Sequence, residues 1–130
     1  MKTVNALIVD DSRLARKMMS VALQNTSATV QFEFEFACSG LEAIKCLKET
    51  EFDIVLSDVN MPELSGLGLL RYIRAQEAWA DLPVVIISSV GSGTMLTDLV
   101  SLGATLVLSK PINTSESMAR LSEVVAGLHR

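Results

Sequence analysis

The stretch ALIVDD, residues 6–11, decides the fold of this chain of 130 residues. Four apolar residues predict a buried strand, and two adjacent carboxylates, Asp10 and Asp11, follow it directly. Two like charges held in a partly desolvated place destabilise each other unless a cation neutralises them. The stretch therefore predicts a strand that ends at a cation site, and a divalent metal ion is the simplest occupant.

Two other apolar runs are also followed by charged residues. The run 54–56 leads to Asp58, and the run 106–108 leads to Lys110. In a parallel sheet, neighbouring strands deliver such residues to the same edge. With a hydroxyl from Ser88, three acids and one lysine predict a site for a hard cation and a phosphoryl group.

The whole chain alternates short apolar runs with segments of helical periodicity. This alternation predicts an α/β fold of three layers, in which five helices cover both faces of a parallel five-stranded sheet through right-handed crossovers. The second strand is expected at the sheet edge, because its phenylalanines alternate with charged residues. The predicted strands are residues 6–9, 30–37, 53–56, 84–87 and 105–108.

Two helices carry specific expectations. The first is predicted to follow an N-cap at Ser12 and to place Leu14, Met18, Val21 and Ala22 on one face. The last is predicted to begin at residue 113 with a capping box that ends at residue 116. Its predicted core stripe consists of Met118, Leu121, Val125 and Leu128.

Composition limits the classes of function. The hydrophobic fraction of 49% supports one compact domain over residues 1–130, and the net charge of −4 argues against nucleic acid as a partner. Cys38 and Cys46 lack the spacing of a redox or zinc motif and are expected to be reduced thiols. No apolar run reaches the roughly 18 residues of a membrane span, and no signal peptide is evident. We therefore expect a cytoplasmic protein.

The ordered motifs resemble the receiver domain of two-component response regulators. The resemblance covers nearly the whole chain and rests on VDDSR at 9–13, LSDVNMPELSGLGLL at 56–70, PVVIISS at 83–89 and LSKPI at 108–112. It implies a doubly wound, flavodoxin-like (βα)5 domain with strand order 2-1-3-4-5.

The resemblance also implies roles for the site residues. Asp58 would accept a phosphoryl group from a phosphohistidine on a sensor histidine kinase or phosphotransfer protein. Asp11, Asp58 and the backbone carbonyl of Asn60 would bind Mg²⁺, and Asp10 would bind it directly or through water. Lys110 would hold one phosphoryl oxygen.

The remaining implied roles concern signalling. Ser88 would hold another phosphoryl oxygen and couple it to the surface of the fourth helix, fifth strand and fifth helix. A cis bond between Lys110 and Pro111 would aim the lysine. The output would be contact with a downstream protein, as in a stand-alone regulator of chemotaxis or motility, and a phosphorylation-dependent homodimer is one form of such contact. Enzymatic activity would be limited to self-catalysed phosphotransfer and slow self-dephosphorylation.

Departures from the family pattern carry further expectations. Val107 stands where the family often has an aromatic switch residue. Val90 offers no hydrogen bond to a hydrolytic water, which predicts slow self-dephosphorylation. The fourth helix has few charges, so its apolar residues form either a docking surface or part of the core; they are Met95, Leu96, Leu99 and Val100.

Simpler interpretations of single residues stay open. Asp58 could cap a turn before Pro62, and Asp10 or Asp11 could cap the first helix. His129 fits a helix C-terminus. Two glycines at 91 and 93 fit a flexible loop better than a nucleotide cradle.

Other functions for the whole chain stay open. A pseudo-receiver would act only as a phosphorylation-independent interaction module. A flavodoxin-like electron carrier would need a phosphate loop where Asp10 and Asp11 stand, and an aspartyl phosphatase would want an acid in place of Asn60.

Overall fold

A computed structural model describes residues 2–89 and 93–128, with the side chains of 93–96 excepted. Val90, Gly91 and His129 lie outside the described residues, as do the side chains of Met95 and Leu96. The expectations placed on them stay predictions. Among the described helices, none combines the length and apolar character that a membrane crossing requires.

Strands and helices alternate along the chain, as predicted. The strands are β1 Lys2–Val9, β2 Val30–Ala37, β3 Ile54–Asp58, β4 Val84–Ser88 and β5 Leu106–Ser109. The helices are α1 Arg13–Gln24, α2 Gly40–Glu49, α3 Gly66–Ala75, α4 Gly93–Ser101 and α5 Ser115–Gly127, with a 3-10 turn at Glu77–Trp79.

All neighbouring strands pair in parallel, and the order β2-β1-β3-β4-β5 confirms the expected topology. Strand β1 starts four residues earlier than predicted, because Lys2 to Asn5 pair with the first half of β2. Strands β3 and β4 extend to Asp58 and Ser88, so these two residues end their strands instead of following them. Apolar periodicity could not reveal this, since both are polar.

The helices cover the sheet in two groups. Helices α1 and α5 pack on one face, and α2, α3 and α4 pack on the other. Successive residues of the central strands supply both cores; Ile8 faces the first group, and Leu7 and Val9 face the second. Strand β2 lies at the sheet edge as predicted, with Phe32 buried and Phe36 exposed.

The prediction for the apolar face of α1 was wrong for three of its four residues. Leu14, Met18 and Val21 are exposed, with relative accessibilities of 68%, 41% and 49%. Ala22, the fourth predicted residue, is buried, together with Met19 and Leu23. Both sides of α1 are apolar, so helical periodicity alone could not determine which side faces the core.

The caps of α1 and α5 are only partly as predicted. The Ser12 hydroxyl accepts from the amide of Ala15, which confirms the N-cap of α1. Helix α5 begins at Ser115, because the Thr114 hydroxyl accepts from the amide of Ser117. The capping box predicted from Asn113 is therefore wrong; both residues are common N-caps, and the later one is used. The core stripe of α5 is confirmed, with Leu121 and Val125 buried and Met118 and Leu128 partly buried.

Candidate metal and phosphoryl site

The predicted site residues lie at one edge of the sheet. Asp10 follows β1, Asp58 ends β3, Ser88 ends β4 and Lys110 follows β5. The strand register brings them together, since Asp58 pairs with Ile87, the residue before Ser88. The carboxyl ends of parallel strands meet at this edge, which explains the clustering.

Three carboxylates form a close group. One oxygen from each of Asp10, Asp11 and Asp58 lies within 4.8 Å of the others. Asp10 and Asp58 are only 1% and 6% exposed, whereas Asp11 is exposed. Three acids in this arrangement are costly without positive charge nearby.

Lys110 supplies that charge. Its ammonium nitrogen lies 3.1 Å from Asp10 Oδ2 and 3.5 Å from Asp58 Oδ1. The lysine thus forms ion pairs with two of the three acids and leaves the third exposed to solvent. Its backbone amide also donates to the Ser88 carbonyl at 2.8 Å, which fixes the start of the lysine segment against β4.

Burial and charge in the site raise the pKa values of two residues. Burial, followed by the negative charge of Asp10, raises the pKa of Asp58, and Lys110 opposes this only in part. Burial lowers the pKa of Lys110, but its hydrogen bond and charge interactions with Asp10, together with Asp58, outweigh burial and raise the pKa overall. The lysine is therefore held in its charged form.

The donor set fits Mg²⁺. Carboxylate oxygens are its preferred ligands, and ligand oxygens around an octahedral Mg²⁺ lie about 3 to 4 Å apart. The oxygens of Asp10, Asp11 and Asp58 need only a small contraction from their 4.8 Å limit to reach this spacing. A partly solvated pocket also suits an ion that keeps several of its waters.

The other predicted residues are also placed. Ser88 is buried, whereas the neighbouring Ser89 is exposed, which favours the former as the site hydroxyl. Asn60 is exposed two residues beyond Asp58. The Lys110–Pro111 peptide bond is cis, as the resemblance implied. Val107 packs into the core beside α4, together with Leu99 and Leu102.

The apolar residues of α4 divide between core and surface. Leu99 is buried in the core, which matches the simpler of the two interpretations, and Val100 is exposed. A docking role for the exposed part of the helix stays a prediction.

Sequence reasoning missed Gly66, the first residue of α3. A Cβ atom built there lies 2.2 Å from the Asp58 carbonyl oxygen and 2.9 Å from the Val59 Cα. The Gly66 amide also donates to the Val59 carbonyl at 2.7 Å. The helix thus approaches the backbone of the central acid so closely that no side chain fits. A glycine directly after the N-cap Ser65 was the only sequence signal.

We expect Gly66→Ala to destabilise the fold by about 2–3 kcal/mol, because the new methyl group must push α3 away from the end of β3. Gly127→Ala in α5 is the matched control. Nothing lies within 4 Å of a Cβ built at Gly127, so this substitution should stabilise the helix slightly. Denaturant unfolding of both variants measures the difference, and equal stabilities would contradict the close approach at Gly66.

Fold and site together define the class of this molecule: an α/β domain that carries an acid cluster and a lysine at the carboxyl edge of its sheet. The family model of the response regulator receiver domain matches residues 6–122. The chain therefore belongs to the response regulator receiver family.

Individual relatives agree with this assignment. The chain is 30% identical to the chemotaxis protein CheY-3 of Vibrio cholerae over 123 residues, which cover 95% of this chain and 92% of the relative. It is 35% identical over 117 residues to the two-component response regulator-like protein PRR73 of rice, Oryza sativa. That match covers 88% of this chain and only 15% of the rice protein. The chain thus spans a small part of some relatives and nearly the whole of others.

Solved structures show the same fold. The chemotaxis response regulator CheY4 of Vibrio cholerae superposes with a TM-score of 0.79 at 29% identity, and the match covers 98% of this chain and 99% of that one. A response regulator from Chloroflexus aurantiacus superposes with a TM-score of 0.83 at 26% identity, covering 96% and 99% of the two chains.

Proposed function

We propose that this chain accepts a phosphoryl group on Asp58 from a phosphohistidine of a sensor histidine kinase or phosphotransfer protein. Mg²⁺ assists the transfer, and the product signals through protein contacts. The observation that carries the proposal is the Lys110 ammonium, which pairs with Asp10 and Asp58, two acids that also group with the exposed acid Asp11. A cation held among acids at a strand edge suits the transfer of an anionic group.

In this proposal an ionised oxygen of Asp58 attacks the phosphorus of the donor. A new oxygen–phosphorus bond forms as the nitrogen–phosphorus bond breaks, and the electron pair returns to the imidazole nitrogen, which takes up a proton. Lys110 holds a phosphoryl oxygen, since its ammonium already lies 3.5 Å from Asp58 Oδ1. Such transfer depends mainly on positioning and charge neutralisation.

Asp11, Asp58 and the backbone carbonyl of Asn60 are the proposed Mg²⁺ ligands, and Asp10 takes part directly or through water. When bound, the ion supplies positive charge that offsets the phosphoryl oxygens. Asp10 already accepts two contacts, from Lys110 and from the amide of Ser12. These contacts favour Asp10 as the acid that acts through water.

Signalling in this proposal starts at Ser88. Its hydroxyl binds a phosphoryl oxygen and draws the end of β4 toward the site. Because the Ser88 carbonyl accepts a hydrogen bond from the backbone amide of Lys110, movement of Ser88 reaches the start of the β5–α5 connection. The face of α4, β5 and α5 is the proposed output surface. The conformational change that reaches this surface does not use an aromatic ring at position 107, because that residue is Val107.

The enzymatic activity, the location, the pathway and the oligomeric state of the chain are also proposals. The chain acts as no enzyme beyond self-catalysed phosphotransfer and slow self-dephosphorylation. Its likeness to chemotaxis proteins supports a cytoplasmic role in chemotaxis or motility, with a downstream protein as target. A phosphorylation-dependent homodimer on the output surface is testable by comparing the molecular mass of the protein in solution before and after phosphorylation.

Acetyl phosphate tests the central proposal. We expect the protein to gain one phosphoryl group in intact-mass spectra when Mg²⁺ is present and none when EDTA removes the ion. No gain in a protein that binds Mg²⁺ would contradict the proposal. It would favour the alternative of a pseudo-receiver that acts as a phosphorylation-independent interaction module.

A further inference from the structure

Three hydrogen bonds hold the turn that carries the two acids after β1. The Asp10 amide donates to the Ala37 carbonyl at 3.1 Å, and the Ser12 amide donates to Asp10 Oδ1 at 2.9 Å. The third bond involves the Asp10 carbonyl, which belongs to the peptide group that joins Asp10 to Asp11. This oxygen accepts from Nη1 of Arg16 at 2.8 Å. Each of three successive peptide groups is therefore fixed by one bond.

The Arg16 bond differs from the other two in origin. The amides of Asp10 and Ser12 are backbone donors, which any residue except proline would supply at those positions. Arg16 contributes a side chain from the second turn of α1, and it is neither an acid nor a candidate ligand. Its own amide donates to the Ser12 carbonyl at 3.0 Å, so the helix holds the arginine in place. Among the described residues, Arg16 is the side chain that holds the peptide plane between the two acids.

The arginine also lies near the loop between β2 and α2. The pKa of Cys38 in that loop is raised chiefly by its hydrogen bond to Glu42, and the charge of Arg16 acts in the opposite direction. The guanidinium group is thus close to the ends of both β1 and β2. Arg16 also lines one small pocket together with Phe36 of β2.

Charge alone does not explain an arginine in this place. A positive group near the acids repels an incoming divalent cation, so electrostatics would weaken metal binding. Helix α1 also carries Arg13 and Lys17, which are exposed and, among the described residues, form no hydrogen bond or ion pair with the acid turn. Arg16 is distinguished from these two cations by its bond to the Asp10 carbonyl.

We propose that Arg16 is a positioning residue for the metal ion: by holding the carbonyl between Asp10 and Asp11, it directs both carboxylates toward the ion. This inference rests on the proposed metal site. It predicts that the hydrogen bond of Arg16 strengthens metal binding although the charge of Arg16 opposes it. Bond and charge therefore act with opposite signs, and matched substitutions separate them.

Binding of Mn²⁺, followed by electron paramagnetic resonance, tests the inference without any phosphoryl transfer. Arg16→Gln and Arg13→Gln each remove one positive charge from α1, but only the first removes the bond to the Asp10 carbonyl. We expect Arg16→Gln to raise the Kd for Mn²⁺ about tenfold, which is typical for loss of a residue that orients metal ligands. Arg13→Gln should leave the Kd unchanged or lower it.

An Arg16→Gln protein that binds Mn²⁺ as tightly as the parent, or more tightly, would overturn the inference. So would equal weakening in both variants. Thermal unfolding without metal checks that Arg16→Gln is folded; if it is not, Arg16→Lys replaces it, and a severalfold rise in Kd is expected because lysine lacks the planar fork.

The test of Arg16 can succeed or fail independently of the proposed phosphotransfer. A parent protein that binds Mn²⁺ but gains no phosphoryl group would contradict phosphotransfer, while the Kd values would still decide the role of Arg16. A parent that binds no Mn²⁺ would contradict both.

Discussion

Asp58→Asn is expected to gain no phosphoryl group from acetyl phosphate and, without Mg²⁺, to be more stable than the parent protein. The amide cannot act as the nucleophile, so uptake should be lost completely. The gain in stability arises because burial and the charge of Asp10 raise the pKa of Asp58, which means that the fold disfavours its ionised form. Lys110 keeps its shorter ion pair with Asp10. We expect a gain of about 1 kcal/mol, or about 4 °C in Tm.

The pH dependence of this difference has a defined sign. Because the pKa of Asp58 is higher in the folded protein than its unfolded value of about 3.9, the parent carboxyl contributes stability that is full below that value. This contribution is lost as the pH rises through the folded pKa. The advantage of Asp58→Asn should therefore be small in acid and grow toward neutral pH.

Denaturant unfolding of both proteins in EDTA, at several pH values, measures that advantage. Asp98→Asn, which changes an exposed aspartate of α4, serves as the control and should show no comparable gain. An Asp58→Asn protein less stable than the parent at neutral pH would mean that the pair with Lys110 outweighs burial and repulsion.

The sequence predicted the strands better than the buried face of α1, for a physical reason. A buried parallel strand is apolar on both sides, so β3 and β4 are evident as continuous apolar runs. Helix α1 is apolar on two sides, and the pattern of Leu14, Met18 and Val21 fits helical periodicity as well as the buried set does. Packing against β1, β2 and α5 determines which side is buried.

The site followed from the sequence because its acids and lysine stand at strand ends. Strand topology alone places such residues together, as with Asp58 and Lys110. Contacts that depend on how a helix approaches the sheet were not predictable. The spacing of Arg16 does not indicate its bond to a carbonyl six residues earlier, and the close approach of α3 at Gly66 appears only in three dimensions.

Lys110→Met should have the opposite effect on stability to Asp58→Asn. Methionine keeps much of the volume of the side chain but removes the charge, so Asp10 and Asp58 then face each other without a cation. Breaking a buried ion pair costs several kcal/mol, but Lys110 is about one-third exposed, so we expect a loss of about 1–3 kcal/mol without metal. The rate of phosphoryl uptake should fall about 100-fold, because a charge that stabilises the phosphoryl oxygens is missing.

Mg²⁺ should restore more stability to Lys110→Met than to the parent, because the ion no longer competes with an ammonium group for Asp10 and Asp58. Titration of thermal stability with Mg²⁺ measures this, and Lys48→Met, on the far exposed side of α2, is the control. Equal stabilisation of the variant and the parent by Mg²⁺ would show that the ammonium group does not compete with the ion for the two acids.

The double variant Asp58→Asn with Lys110→Met tests the charge balance directly. In the parent, Lys110 offsets the repulsion between two buried acids. If one acid is already neutral, the lysine has less repulsion to offset, and its loss should cost less than in the parent. The two stability changes should therefore fail to add, by about 1 kcal/mol or more, as expected for groups in direct contact. Additive changes would mean that Lys110 stabilises Asp10 alone, and that its approach to Asp58 contributes to phosphotransfer without contributing to the stability of the fold.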